Sequence, residues 1–193
     1  MLSEKLKNYK LILASGSPRR QQFFRELNLD FEIRLKEVEE TYPKHLKGSE
    51  VTDFLARLKA DVFDLKENEI LVTSDTIVWF DEKVLGKPKN YDEAFVILQK
   101  LSGNTHQVIT SVCLKSAEKT KVFNVTTQVT FSELTQEMIR FYLDNYKPFD
   151  KAGAYGIQEW IGLVGIEKIE GSYTNVVGLP TEKFYKELVC FIC

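Results

Sequence analysis

The sequence predicts an α/β protein: an extended mixed β-sheet with flanking helices, in two lobes about a central cleft. Three observations predict it. Stretches with strand character alternate with stretches of helical periodicity along most of the chain. The apolar run Leu11-Ile-Leu-Ala14 stops abruptly at Ser15-Gly-Ser-Pro18, as when a buried strand turns into a helix. Two long β-like stretches, His106–Ser116 and Lys121–Phe131, are joined by a polar turn, which reads as an antiparallel hairpin and argues against a purely parallel sheet.

Each element has its own justification. Tyr9–Ala14 is the first strand. Gly16 permits a tight turn, Ser17 suits an N-cap and Pro18 the first helical position. The helix then runs from about Pro18 to Leu27, with Phe23, Phe24 and Leu27 on one face. Phe31–Leu35 is a second strand. Val51, Leu55, Leu58 and Val62 form a stripe at helical spacing on a helix of about Glu50–Leu65. Ile70–Phe80, rich in β-branched residues, is a strand that turns at Asp81-Glu82-Lys83 into Val84-Leu85. Asn90 caps a helix bearing Ala94, Ile97, Leu98 and Leu101. Thr135–Tyr146 is a helix with Met138, Phe141 and Tyr142 inward, and Leu163–Ile169 a short strand. Thr181–Ile192 closes the chain as a helix with Phe184, Leu188 and Phe191 on its apolar side. The 193 residues are read as one domain, with residues of about 60–135 forming most of one lobe.

Composition narrows the partners. A net charge of −2 gives no global basic field for a nucleic acid polymer, so a local cationic cleft would suit a small anion. No apolar run approaches the ~20 residues of a membrane span, and Met1–Lys10 is polar and lysine-rich, so the cytoplasm is the expected setting. Three cysteines without a secretory leader read as reduced thiols, including the terminal Cys190-x-x-Cys193 pair. The two histidines, His45 and His106, lack ligand-like neighbours, so zinc is not expected.

Two features carry chemistry. A strand feeding a helix N-terminus aims free N–H groups at an anion. Arg19 and Arg20 lie in that first turn, where the helix dipole disfavours cations, which suggests that an anion such as a phosphate chain belongs there. Asp75 is a carboxylate inside the apolar strand Leu71–Phe80. It is either a solvated edge residue or turn cap, or a general base or metal ligand. Lys87 sits in the rigid turn Gly86-Lys-Pro88, Lys59 borders the second helix's apolar stripe, and Glu40 lies in a charged loop. Each of these also reads as an ordinary surface charge. Asp150–Gln158 and Gly171–Pro180 are glycine-bearing loops. No P-loop, nucleophile elbow or zinc-protease motif occurs.

Taken in order, these segments resemble the Maf family of nucleoside triphosphate pyrophosphatases, nearly end to end. The resemblance rests on Ala14-Ser-Gly-Ser-Pro-Arg-Arg20, Ser74-Asp-Thr-Ile-Val78, Leu85-Gly-Lys-Pro88, Leu101-Ser-Gly103, Asp150-Lys-Ala-Gly-Ala-Tyr-Gly-Ile-Gln158 and Gly171–Pro180. It implies a fold like that of the inosine triphosphate pyrophosphatases. It also implies hydrolysis of a nucleoside triphosphate to monophosphate and pyrophosphate, a divalent cation (magnesium, with manganese as the alternative), and a homodimer. Under it Asp75 is the catalytic base or a metal ligand, and Glu40 holds metal or orders the water. Ser15, Ser17, Arg20, Lys59 and Lys87 bind the phosphates. Arg19, Thr76 and Gln158 recur in the branch acting on dTTP and UTP, which favours those substrates and modified pyrimidine relatives. The alternatives are a 7-methyl-GTP or non-standard purine pyrophosphatase, and a nucleotide-binding regulator of septum formation. Ser74 departs from the family pattern, standing where many relatives have alanine.

Overall fold

The computed structural model describes residues 2–192. Its elements are α1 (Leu2–Lys5), β1 (Lys10–Leu13), α2 (Pro18–Glu26), β2 (Glu32–Ile33), α3 (Ser49–Asp61), β3 (Glu69–Phe80), β4 (Lys83–Leu85), α4 (Tyr91–Leu101), β5 (Thr105–Lys115), β6 (Thr120–Phe131), α5 (Gln136–Tyr146), α6 (Trp160–Val164), β7 (Ile166–Glu170), α7 (Tyr173–Val177) and α8 (Thr181–Ile192). The strands make one mixed sheet in the order β2-β1-β3-β5-β6-β7, with β4 paired to β3 off that path. β1 is parallel to β2 and β3, whereas β4 runs antiparallel to β3 and β7 antiparallel to β6. This is the mixed α/β architecture that the sequence predicts. The chain divides into two compact units. Unit 1 takes Met1–Asp75, Thr110–Val125 and Gly178–Cys193, and unit 2 takes Thr76–Ile109 and Thr126–Val177.

In unit 1 the two-residue period of the strands builds both cores. Leu11 and Leu13, Ile70 and Val72, and Val112 and Leu114 point to one face, where Phe24 of α2 and Phe184, Leu188 and Phe191 of α8 cover them. Ile12, Leu71 and Cys113 point to the other and pack on Ala56 and Ala60 of α3 and on Phe63. Small residues on α3 let it lie close to the sheet. The Thr73 hydroxyl donates to the Ala56 carbonyl at 2.6 Å and ties α3 across β3.

Unit 2 has its own core, in which Val78 of β3, the buried face of α4 and that of α5 meet Phe131, Tyr155 and Ile161. Asn90 caps α4 by accepting the Glu93 N–H at 2.9 Å, and the Glu93 carboxylate accepts the N–H of Lys89, the residue before the cap, at 2.8 Å. Phe80 pairs with Lys83, so Asp81 and Glu82 alone form the β3–β4 turn, both with positive φ (50° and 57°) as a two-residue hairpin of this type requires.

Several elements differ from expectation, each for a local reason. β2 is only two residues long, and Phe31 instead packs edge-on against Phe24 at 5.1 Å. α3 stops at Asp61, leaving Val62 exposed, and Phe63 enters the core in its place. α5 buries Ile139, Tyr142 and Leu143, while Phe141 faces outward against Trp160, ring centroids 4.7 Å apart. Leu163 lies in α6 and is 80% exposed, and the strand begins only at Ile166. Cys113 is a buried free thiol and Cys190 an exposed one, whereas Cys193 lies outside the described residues. Among the described residues no helix is long and apolar enough to cross a membrane.

Candidate active site

The site in unit 1 follows from strand parity. Leu71, Thr73 and Asp75 share the face of β3 that meets α3. Lys59 lies three residues beyond Ala56, on the same side of that helix. Its ammonium donates to Asp75 Oδ1 at 2.7 Å and stands 3.1 Å from Glu40 Oε2. Asp75 is 6% exposed. Its second oxygen, Oδ2, is buried and without a hydrogen-bond partner among the described residues, as is the Ser74 hydroxyl. A buried acceptor left unmade typically costs ~1–3 kcal/mol, which a ligand at that atom would relieve.

The β1–α2 turn supplies the second cation. Ser17 occupies the N-cap position, but its hydroxyl makes no capping bond. Its N–H instead donates to Ser15 Oγ at 3.3 Å. α2 has no acidic residue in its first turn, where Arg19 and Arg20 stand. The Arg20 guanidinium donates through Nε to the Gly178 carbonyl at 2.8 Å. Through Nη1 it donates to the Ser74 carbonyl at 2.9 Å and to Ser15 Oγ at 3.4 Å. These bonds fasten the turn to the strand residue next to Asp75 and to the approach to α8. Burial lowers the guanidinium's proton affinity. Asp75 acts in the opposite sense, Arg19 reinforces the lowering and Glu40 again opposes it.

Direct contacts join Glu40, Lys59 and Asp75 in one group and Ser15 and Arg20, with the Ser17 backbone, in another, and the Arg20 bond to the Ser74 carbonyl links the second group to the residue preceding Asp75. Of the remaining candidates, Arg19 lies in unit 1, on α2, and the others belong to unit 2. Thr76 follows Asp75 on β3, Lys87 is exposed in the turn after β4, and Gln158 is exposed in the loop after the 3₁₀ turn Ala152–Ala154. That loop and the Lys87 turn are joined, because the Gly153 N–H donates to the Gly86 carbonyl at 3.2 Å. Gly153 has φ 69°, and a Cβ there would lie 2.7 Å from Val78 Cγ2, so only glycine permits this seating on β3. The carbonyl anchors at Ser74 and Gly178 escape sequence reasoning, because backbone acceptors leave no side-chain signature.

The donor set fits a hard divalent cation. Two carboxylates, Asp75 with its unpartnered oxygen and Glu40, already share one positive charge, that of Lys59. Among the described residues no cluster of three or more His, Cys, Asp or Glu is poised to enclose a metal. Such an ion would draw its other ligands from phosphate oxygens and water, as magnesium commonly does.

Comparison with known proteins agrees with the resemblance. Residues 10–191 match the family described as Maf-like protein. The chain is 65% identical over 191 residues to a dTTP/UTP pyrophosphatase of Flavobacterium psychrophilum, covering 98% of each. It is 61% identical over 194 residues to a protein of the same name from Flavobacterium johnsoniae, covering 100% of each. Among solved structures, a HAM1 protein from Coxiella burnetii aligns over 94% of this chain and 98% of its own, with TM-score 0.53 at 13% identity. That is a likeness of fold, and it agrees with the mixed α/β class.

Proposed function

The chain belongs to the Maf family, and on that premise we propose that it hydrolyses dTTP and UTP, and modified pyrimidine relatives, to the monophosphate and pyrophosphate. The observation that carries this reading is the Asp75 carboxylate, one oxygen tied to Lys59 and the other buried without a partner. Asp75 Oδ2 accepts the proton of the water that attacks the α-phosphorus. A water–phosphorus bond forms, the bridge to the β-phosphate breaks, and pyrophosphate leaves. Lys59 holds the carboxylate in place and, with Arg20, Lys87 and the Ser15–Ser17 turn, neutralises the triphosphate. Preorganised charges of this kind typically contribute a few kcal/mol each. Asp75 and Glu40 are the residues that would hold a divalent cation, whose bound form supplies further charge neutralisation on the phosphate oxygens. Arg19, Thr76 and Gln158 select the base, and the Gln158 amide offers a donor and an acceptor to a pyrimidine edge. The ligand is a free nucleotide rather than a polymer, the setting the cytoplasm, and the assembly a homodimer.

A panel of dTTP, UTP, CTP, 7-methyl-GTP and ITP with magnesium tests the reading by pyrophosphate release. Turnover is expected with dTTP and UTP foremost, and Asp75→Asn is expected to abolish it while sparing binding. A purine leading the panel would overturn the substrate assignment. Binding of dTTP without turnover would replace the enzyme with a nucleotide-binding regulator.

A further inference from the structure

The loop that presents Gln158 carries backbone strain and is held from behind by a charge network in which Lys151 is buried and Glu159 partly buried. Gly153 and Ala154 are consecutive left-handed residues, at φ 69° and 58°. An alanine in that region persists only where its surroundings over-determine it. Lys151, 9% exposed, has its ammonium 2.8 Å from Asp150 Oδ1 and 3.2 Å from Glu159 Oε1. The Tyr142 hydroxyl of α5 donates to Glu159 Oε2 and accepts the Gly156 N–H at 2.9 Å. The Glu159 N–H returns to the Gly156 carbonyl at 2.9 Å. A Cβ on Gly156 would lie 2.8 Å from the Glu159 carboxyl carbon, so that carboxylate packs directly on the loop backbone. Gln158 stands between Ile157, which is buried in the core, and Glu159, which is locked in this network. Both neighbours of the exposed amide are thus fixed. None of the groups behind the loop serves the hydrolytic chemistry, and burying charges only to fill space would be unfavourable.

We propose that Lys151, Glu159 and Tyr142 are positioning residues that hold the Gln158 amide in register for the base, acting through the loop backbone without touching the nucleotide. The proposal rests on the dTTP/UTP reading above. The test uses the full chain carrying Glu159→Gln, Lys151→Met, the two combined, or Tyr142→Phe. It measures pyrophosphate release from dTTP, UTP and CTP, and inhibition by tripolyphosphate, which has no base. Each single charge variant is expected to lower the dTTP-to-CTP ratio of kcat/KM by about tenfold, chiefly through KM, with tripolyphosphate inhibition within about twofold of wild type. The double variant, which removes both members of the Lys151–Glu159 ion pair together, is expected to recover part of the ratio. Tyr142→Phe, the mildest change, gives the same direction should a charge variant fail to fold. Folded variants that keep the wild-type ratio overturn the proposal. So do variants that lose kcat and tripolyphosphate binding in parallel. A wild type that does not hydrolyse dTTP or UTP brings down the functional reading and this one with it, whereas a selective wild type with unaltered variants brings down only the positioning role.

Discussion

Arg19 and Arg20 are adjacent, yet their surroundings differ. Arg20 is anchored by two carbonyls and a hydroxyl, while Arg19 stands beside it in the first turn of α2 as a neighbouring charge. A fixed guanidinium suits the phosphate chain, which every triphosphate shares. Arg20→Ala is therefore expected to lower kcat/KM for all triphosphates alike, by roughly a hundredfold. Arg19→Ala is expected to change their ranking. Competition assays across the nucleotide panel separate the two, and parallel losses in both variants would refute the split. At this scale Asp75 and Arg20 stand out in the sequence because each is a charge out of place, in an apolar strand or against a helix dipole, whereas Lys59 also reads as a snorkelling surface lysine and is picked out only by the family resemblance. Glu40 likewise enters only through the resemblance, because a carboxylate in a charged loop looks solvated. Its tie to Lys59 depends on a loop path that periodicity does not describe.

Among the elements, α3 matters most to the site, because it delivers Lys59 to Asp75. Its fit against β3 depends on Ala56 and Ala60, both fully buried, and on the Thr73 bond to the Ala56 carbonyl. Ala56→Leu is expected to cost about 1–3 kcal/mol by overpacking. It should also lower kcat, since a helix lifted from the strand carries the ammonium away from the carboxylate. Chemical denaturation and steady-state rates measured together check this, and a destabilised variant with an unchanged kcat would count against it. The long strands, α4 and α8 were readable because their patterns admit one solution. α5 was not. Met138, Phe141 and Tyr142 satisfy a helical period as well as Ile139, Tyr142 and Leu143 do, and Phe141 finds its partner in Trp160 at the surface. α6 and α7 are five residues each, too short to show any period.

For the whole molecule, acid should act on the two units in sequence. In unit 2, His106 is buried with Nε2 2.7 Å from the Tyr155 hydroxyl, and burial pushes its pKa from 6.5 down to about 4. Between those values the unfolded imidazole binds a proton that the native one refuses. Stability is therefore complete above pH 6.5 and falls toward pH 4, by on the order of 3 kcal/mol. In unit 1 the Arg34 guanidinium beside Glu69, followed by the Lys66 N–H, holds that carboxyl down at about 2 against an ordinary 4.5. The unfolded carboxyl is protonated first, so this contribution is present above pH 4.5 and is lost as pH drops toward 2. Hydrogen exchange across an acid titration is expected to release amides around His106 before those around Glu69, and the reverse order would refute the assignment. The ends of the sheet bear on a different hazard. Apart from β4, three residues long and paired to β3 off the main path, the sheet has two outer strands, of which one, β2, is two residues long. The other, β7, shows solvent Glu167, Lys168 and Glu170, with Lys168 paired to Glu170 at 2.9 Å. Neither rim offers a long greasy ladder on which a foreign or misfolded strand could zip, so concentrated solutions of this protein should resist fibril growth.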